Sequence, residues 1–465
     1  MTNYFDTICA PATSVGTGAV SMIRVSGPEA LAVVDRVVAF RRGRAVDAPG
    51  YSLRFGSIDG LDEVLVAIFR APHSYTGEDA AEISCHASAY IVNELLDRLT
   101  AAGCRLAEPG EFTRRAFVNG KMDLAQAEAV ADVIAAASAA QHRVAMNQLR
   151  GGYSAELRGL REQLLELASL LELELDFSEE DVEFADRSRL RELLDAACSH
   201  CRQLADSFRL GNAIRNGVPV AIVGAPNSGK STLLNALLRD DRAIVSDVPG
   251  TTRDTVEETC VIDGVLFRFI DTAGIRESSD KIERLGIERT FRKISEAEIV
   301  LGVVDASDTP EAIGASLRTM LGKVDSGHQK MLILANKSDK TDVNKNVIYI
   351  NTFVNSFDYK AISTDTIEIS AKTGAGLEEL RSALVQRAGI ASASGTLVTN
   401  ARHAAALREA AASLTAVSDG LDRHLPTDLL AEDLRAALES LGSITGQITT
   451  DQILSEIFSR FCIGK

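Results

Sequence analysis

The sequence predicts a multidomain chain of α/β and all-α parts: an N-terminal α/β domain, a helical domain, and a doubly wound α/β domain inserted into the helical one. Three observations predict it. The 465 residues suggest about three domains. The texture of the chain changes near Asp123, again at Val218 and again near Arg387. A glycine-rich turn of the pattern G-x-x-x-x-G-K-[ST], Gly224-Ala225-Pro226-Asn227-Ser228-Gly229-Lys230-Ser231, stands between an apolar run and a helical one.

Residues 1–118 mix short β-rich runs with helical stretches; 64–69 is expected to be a buried strand and 89–99 a helix. Residues 119–215 open the helical domain. An alanine-rich stretch runs from Asp123 to about Gly151, and leucines then recur at 157, 160, 164, 167, 171 and 175. Spacings of three and four put them on one apolar face, a packing stripe. In residues 216–387 the runs 220–223, 266–270, 299–304 and 331–334 are short apolar strands separated by helical segments, the βαβ alternation of a doubly wound sheet. Residues 389–395 read as a linker. Residues 388–465 return to helix at 402–421, 429–441 and 451–461. Insertion requires only that two chain ends lie close, so the flanking halves are expected to pack as one helical domain.

Hydrophobic residues make up 46% and charged residues 25%, the balance of a globular protein. A net charge of −16 argues against a surface built to grip nucleic acid non-specifically. Local basic patches are open to two readings: Arg36, Arg41, Arg42 and Arg44, and Arg114-Arg115, are either solvated faces, the ordinary outcome, or phosphate contacts. Seven irregularly spaced cysteines indicate a reducing compartment. Cys198-Ser199-His200-Cys201 has no second half at zinc spacing and sits in helical texture, so it is read as structural. Neither a leader nor a membrane-length apolar run is recognised, and a cytoplasmic protein that does not enter a membrane is expected.

The glycine-rich turn lets backbone N–H groups wrap phosphate oxygens at a helix N-terminus. Lys230 is placed to reach the β- and γ-phosphates and Ser231 to ligate Mg²⁺. Three further motifs follow in order. Asp271-Thr272-Ala273-Gly274 puts Asp271 near the Mg²⁺ and the Gly274 amide near the γ-phosphate. Asn336-Lys337-Ser338-Asp339 offers a carboxylate for the N1–H and exocyclic amine of guanine, a donor pair that adenine lacks. Ser370-Ala371-Lys372 would support the base through a backbone amide. Gly250-Thr251-Thr252-Arg253-Asp254 lies where a switch threonine covers Mg²⁺. Together they predict a guanine-nucleotide site, and the inserted domain resembles the translation-factor-like class of P-loop GTPases, Ras-like in fold. The glutamine that orients water in Ras-like proteins is replaced by Ile275, which leaves Glu277, Asp280 and Glu283 as nearby acidic candidates.

The stretch 109–128, PGEFTRRAFVNGKMDLAQAE, the Gly-Thr-Thr-Arg-Asp switch and the terminal Cys-Ile-Gly-Lys resemble the MnmE (TrmE) family of tRNA-modification GTPases over essentially the whole chain. The resemblance implies an N-terminal domain that dimerises and binds folate, so that the chain is a homodimer. It implies a heterotetramer with the flavoprotein MnmG (GidA), which carries FAD. The pair acts on tRNA, adding an aminomethyl or carboxymethylaminomethyl group to C5 of the wobble uridine with a one-carbon unit from a tetrahydrofolate derivative.

By the same resemblance, GTP and GDP contacts fall on Asn227, Ser228, Gly229, Lys230, Ser231, Thr232, Ser246, Thr251, Thr252, on Asp271 to Gly274 (with Thr272 and Ala273), on Asn336, Lys337 and Asp339, and on Ser370, Ala371 and Lys372. Mg²⁺ ligands map to Ser231 and Thr252, and ligands of a stimulating K⁺ to Asn227, Ser246, Val248 and Thr251. The catalytic glutamate maps to Glu283. Folate contacts map to Arg24, Glu82, Lys121 and Lys465. Where the family often has Gly-His-Gly-Gly after its glutamate, this chain has Cys85-His86-Ala87-Ser88, side chains in place of bare backbone. His86 is read as structural.

Cys462 is the fourth residue from the end. A prenylation signal needs aliphatic residues and a typical last residue; Gly464 and Lys465 supply neither. The helix before it carries Ile453, Leu454, Ile457, Phe458 and Phe461 on one face and should dock. The resemblance then makes the Cys462 thiol a second catalytic candidate, near the folate site. The alternative to the whole reading is a GTPase assembly factor or switch, as in ribosome maturation, with no modification chemistry.

Overall fold

The structure is a computed structural model that describes residues 6–14, 18–176, 187–240, 257–270, 296–322, 324, 329–340, 343–356, 365–390, 395–459, 461 and 464. The chain divides into two compact units. One takes the described residues of 1–131, 148–197 and 412–465, the other those of 132–147 and 198–411. Among the described residues no helix is long and apolar enough to cross a membrane.

The first unit holds a seven-stranded sheet of β1 (Ile8–Pro11), β2 (Val20–Ser26), β3 (Ala39–Phe40), β4 (Ser52–Ile58), β5 (Asp62–Phe69), β6 (Ala80–His86) and β7 (Arg105–Leu106), in the order β3-β4-β5-β6-β2-β1-β7. It is antiparallel except for the β1–β7 pair. Helices α1 (Ala30–Val37) and α2 (Ala89–Ala101) cover one face, where Ile23, Val25, Val64, Val66, Ile68 and Ile83 meet Leu31, Val34, Leu95 and Leu99. Side chains alternate across a strand, so the opposite face presents Leu53, Leu65, Arg24 and Glu82. The expectation of a buried strand at 64–69 is therefore corrected: Leu65 is 44% exposed, because α1 and α2 pack on the other face, while on its own face α3 packs at the β1 end, where Phe112 is buried with Ile8 and Ala10.

Helix α3 (Glu111–Val118) carries a second correction. Arg115 lies neither in a basic patch nor on a solvated face; it is 1% exposed, with Asp6 at 2.5 Å, Glu111 at 3.0 Å and Glu78 at 3.2 Å. Arg105 closes the network on Glu111 at 2.6 Å and Asp6 at 2.7 Å. Arg114 is also buried.

The helical part follows as α4 (Leu124–Ala135), α5 (Ala139–Leu149), α6 (Gly152–Asp176) and α7 (Arg187–Asn216). The leucine stripe of α6 is buried at 157, 160, 164, 167 and 171.

The second unit is built on a six-stranded sheet, with β8 (Val218–Gly224), β9 (Glu258–Ile262), β10 (Val265–Ile270), β11 (Ile299–Asp305), β12 (Lys330–Asn336) and β13 (Asp365–Glu368) in the order β13-β12-β11-β8-β10-β9. Only the β9–β10 pair is antiparallel. β11 is buried along its whole length, as an apolar strand covered on both faces must be. Its helices are α8 (Lys230–Asp240), α9 (Pro310–Leu321), α10 (Val343–Ser356) and α11 (Leu377–Ala388). α9 starts where Thr309 Oγ accepts the Ala312 N–H and Pro310 takes the first helical position.

After α11 come α12 (Ala401–Asp422), α13 (Thr427–Thr445) and α14 (Asp451–Ser459). α13 packs along α6 in the first unit. The division between the compact units falls inside α7 and α12. Within the second unit, α7 meets the segment that leads into α12: Ser207 Oγ accepts the Val398 N–H at 3.1 Å, and a Cβ at Gly211 would collide with the Val398 carbonyl.

Candidate functional site

In the second unit the strand order reverses at β8, which has β11 on one side and β10 on the other. In a doubly wound sheet the crevice at that reversal, beyond the carboxyl ends of the strands, is where ligands bind. The glycine-rich turn stands there, from Gly224 at the end of β8 to Lys230 at the start of α8. Its shape depends on missing side chains. A Cβ at Gly229, where φ is +100°, would collide with Asn336 Nδ2, and one at Gly224 with the Val303 carbonyl. Asn227 takes a left-handed φ of 61°, which asparagine tolerates better than most residues. Among the described residues its exposed amide makes no hydrogen bond. Lys230 Nζ donates to the carbonyls of Gly224 at 2.9 Å and Ala225 at 2.8 Å. Burial lowers its pKa from the ordinary lysine value.

Asn336, 2% exposed, ends β12 and joins three segments. Its Nδ2 donates to the Ser228 carbonyl at 2.7 Å, and its Oδ1 accepts the Ala371 N–H at 3.0 Å. Ser370 Oγ in turn donates to Asp339 Oδ1 at 2.7 Å, which holds the fully exposed Asp339 carboxyl below the usual range. A Cβ at Gly376, at φ +76°, would collide with the Glu368 carbonyl, so the 370–376 turn closes tightly on the end of β13. Asp305, at the end of β11, is a residue that sequence reasoning missed. It forms an ion pair with Lys337 and accepts Ser307 N–H and Oγ–H at 2.9 and 2.6 Å. Burial alone would raise its pKa, but the bonds from Lys337 and Ser307 outweigh it and hold it low. Its signal was a carboxylate closing an otherwise apolar strand at the carboxyl edge of the sheet. The structure thus brings together Asn227 to Thr232, Asn336, Lys337, Asp339, Ser370, Ala371 and Lys372 around one crevice. Ser246, Val248, Thr251, Thr252, Asp271, Thr272, Ala273, Gly274 and Glu283 lie outside the described residues.

A second cluster lies on the open face of the first unit's sheet. Arg24 on β2 and Glu82 on β6 are directly opposite in register, and the Arg24 Nε and Nη2 groups donate to Glu82 Oε1 at 3.0 and 2.8 Å. The guanidinium carbon stands 5.1 Å from the Tyr75 ring centroid and 5.6 Å from that of Phe112. Lys121 Nζ donates to the Pro72 carbonyl at 2.9 Å, and its stem lies against Gly77. His86 is engaged by Asp62 at 2.8 Å, and Cys85 points into the core.

The C-terminal helix docks, as its apolar face required. Leu454 and Phe458 are buried with Leu124 and Ala127, and Ile457 and Phe461 pack beside them. Ile453 departs from that face and is 37% exposed. Gly110 leaves room for the Phe458 carbonyl, and Gly464 approaches so near the Pro11 carbonyl that a Cβ would collide with it. Cys462 and Lys465 lie outside the described residues.

Two family profiles match this chain: the MnmE helical domain over residues 124–462, and the GTP-binding protein TrmE N-terminus over residues 7–121. The chain is 49% identical over 468 residues to the tRNA modification GTPase MnmE of Bacteroides thetaiotaomicron, covering 99% of both proteins. It is 50% identical over 471 residues to the protein of the same name from Porphyromonas gingivalis, covering 99% of this chain and 98% of that one. It is 48% identical over 471 residues to the tRNA modification GTPase MnmE of Cytophaga hutchinsonii, covering 100% of this chain and 99% of that one.

Proposed function

The chain belongs to the MnmE (TrmE) family of tRNA modification GTPases and is a GTP hydrolase acting in tRNA modification; from that premise we propose how its residues divide the work. The observation that carries the proposal is the Asn336 amide, which ties the phosphate loop at Ser228 to the Ala371 turn. One side chain thereby holds the phosphate end and the base end of the crevice at a fixed spacing. Asp339 reads the guanine, oriented by Ser370. Lys230 exchanges the Gly224 and Ala225 carbonyls for β- and γ-phosphate oxygens. Glu283 orients the attacking water in place of the glutamine that Ile275 displaces.

Mg²⁺ fits Ser231, in the first turn of α8 at the switch point, with Thr252 as its second protein ligand. K⁺ fits Asn227, whose amide oxygen is carried on an exposed left-handed turn, together with Ser246, Val248 and Thr251. When bound, these cations neutralise charge developing on the phosphates. The expected result is GTP turnover that is stimulated at least tenfold in KCl over NaCl at matched ionic strength, and loses that difference in Asn227→Ala. Equal rates in the two salts would remove K⁺ from the proposal and favour an arginine supplied by a partner.

The first unit is proposed to bind the tetrahydrofolate derivative on the open sheet face. Arg24, Lys121 and Lys465 suit a carboxylate by their charge, and Glu82 suits pterin donors. The rings of Tyr75 and Phe112 beside Arg24 provide flat apolar surface. Leu53 at 64% and Leu65 at 44% exposure, on the same face, are the apolar surface proposed to pair in a homodimer. We infer that the homodimer joins MnmG, which carries FAD, and that the complex works on tRNA in the cytoplasm, adding the aminomethyl or carboxymethylaminomethyl group at C5 of the wobble uridine. Cys462 is proposed as the thiol of the modification chemistry; Gly464, two residues on, lies against the Pro11 carbonyl of β1. Cys462→Ser is expected to abolish nucleoside modification, read by mass spectrometry of digested tRNA, while leaving GTP turnover within twofold of wild type. Full modification by that variant would exclude the thiol.

A further inference from the structure

In the first unit a cavity of about 80 Å³ lies between the first turns of α6, the last turns of α13 and the start of α4. Ser154, Arg158 and Arg161 face it from α6, spaced by four and three residues and so on one side of the helix. Thr445, Gln447 and Asp123 complete its polar lining. It is larger than a single water requires.

Two features of the lining point to a ligand. Ser154 is 3% exposed, and its Oγ has no hydrogen-bond partner among the described residues; Arg161 Nε is buried and in the same position. Buried polar atoms are normally satisfied, so an orphaned pair at a cavity wall marks a place something polar fills. Neither Arg158 nor Arg161 meets a carboxylate among the described residues. The carboxylate at the wall, Asp123, has one oxygen engaged along the chain, against the two guanidinium charges. Asp123 Oδ1 accepts the Gln126 N–H at 2.9 Å while Gln126 Oε1 accepts the Asp123 N–H at 3.0 Å, a reciprocal cap on α4. Two guanidinium groups, a hydroxyl and the N-terminal turn of a 25-residue helix therefore present donors and positive potential to one small space. A tetrahedral oxyanion has the acceptors and the charge to match. Arg158 and Gln447 are exposed, so the cavity is reached from solvent.

We propose that this cavity binds one phosphate group, either from the backbone of the RNA substrate or as free phosphate. Only the first source rests on the tRNA reading above.

The test uses the full chain, wild type against Arg158→Gln and Ser154→Ala, with GTP turnover as the check that each variant is folded. The first readout is the rise in Tm on adding inorganic phosphate in place of chloride, with GDP saturating the nucleotide site. The second is tRNA binding as a function of salt concentration. The site predicts a phosphate-dependent rise in Tm that falls by at least half in both variants, or a slope of log K against log salt that falls by about 1 in Arg158→Gln. Loss of both identifies the RNA backbone as a source, and loss of the thermal response alone identifies free phosphate. A wild-type chain that binds no tRNA would count against direct RNA contact, leaving the thermal arm to decide the site. Variants indistinguishable from wild type in both readouts would overturn the proposal.

Discussion

Asp339→Asn is expected to weaken GTP binding by about 10³-fold and to create affinity for xanthosine triphosphate. A site built to pair a donor set discriminates by 10⁴–10⁵ when closed around it, and the estimate is set about tenfold lower because Asp339 is fully exposed. A carboxylate accepts from both N1–H and the exocyclic amine of guanine. An asparagine amide has one acceptor and one donor, which suits xanthine, where a carbonyl replaces the amine. Ser370 Oγ donates to Asp339 Oδ1 at 2.7 Å and finds an equivalent acceptor in the asparagine oxygen. The variant should therefore keep its fold while exchanging one base for the other. Titration with fluorescent GDP and XDP measures both arms. GDP affinity within tenfold of wild type would mean that the base is read elsewhere.

Arg115→Met should destabilise the first unit by about 3–5 kcal/mol, the usual cost of removing one partner from a buried charge network. Methionine fills the volume of the arginine stem but leaves Glu111, 2% exposed, with Arg105 as its remaining cation. The pH dependence has a definite sign. Burial alone would raise the pKa of Glu111, yet hydrogen bonds from Arg105, the Glu108 N–H and Arg115 outweigh it and hold it below the ordinary 4.5. For Asp6, burial is likewise outweighed by bonds from Arg105 and Arg115, and its pKa falls below 3.8. A depressed carboxyl pKa contributes stability above the unfolded value and loses it as pH falls through the folded one. The gap between wild type and variant should accordingly be full at pH 7 and narrow below about pH 4. Denaturant unfolding at the two pH values measures this, and a loss under 1 kcal/mol at pH 7 would show that the network is not cooperative.

The two sheets differed in how plainly their sequences announced them. β8, β11 and β12 are apolar runs because both faces are covered, and their spacing around the glycine turn was sufficient to predict a doubly wound sheet. In the N-terminal sheet only β5 was read as a strand. β2 and β6 alternate apolar residues with Arg24 and Glu82, and a half-covered antiparallel sheet weakens the periodic signal. Arg115 was misread because its partners Asp6 and Glu78 lie 109 and 37 residues away in sequence. No local window contains them. At the proposed nucleotide crevice the motifs pointed to residues that the structure brings together, but not to the Asn336 amide joining two loops, nor to Asp305 holding Lys337. Those depend on which strands are neighbours.

The pairing of α6 with α13 has a consequence for the order in which the protein can assemble as it is made. Asp176 ends one helix and Thr427 begins the other, and at 5–20 residues per second the ribosome needs roughly 12–50 s to cover the interval. The doubly wound unit's sheet and its helices α8 to α11 emerge in that time from one contiguous stretch, so this part is free to fold first. The leucine face of α6, buried from Leu157 to Leu171 in the finished protein, meanwhile waits uncovered for a helix not yet synthesised. A nascent chain paused between α11 and α13 should therefore carry a folded nucleotide site and a sticky helix together, and it is at this stage of synthesis that a chaperone would have most to shield.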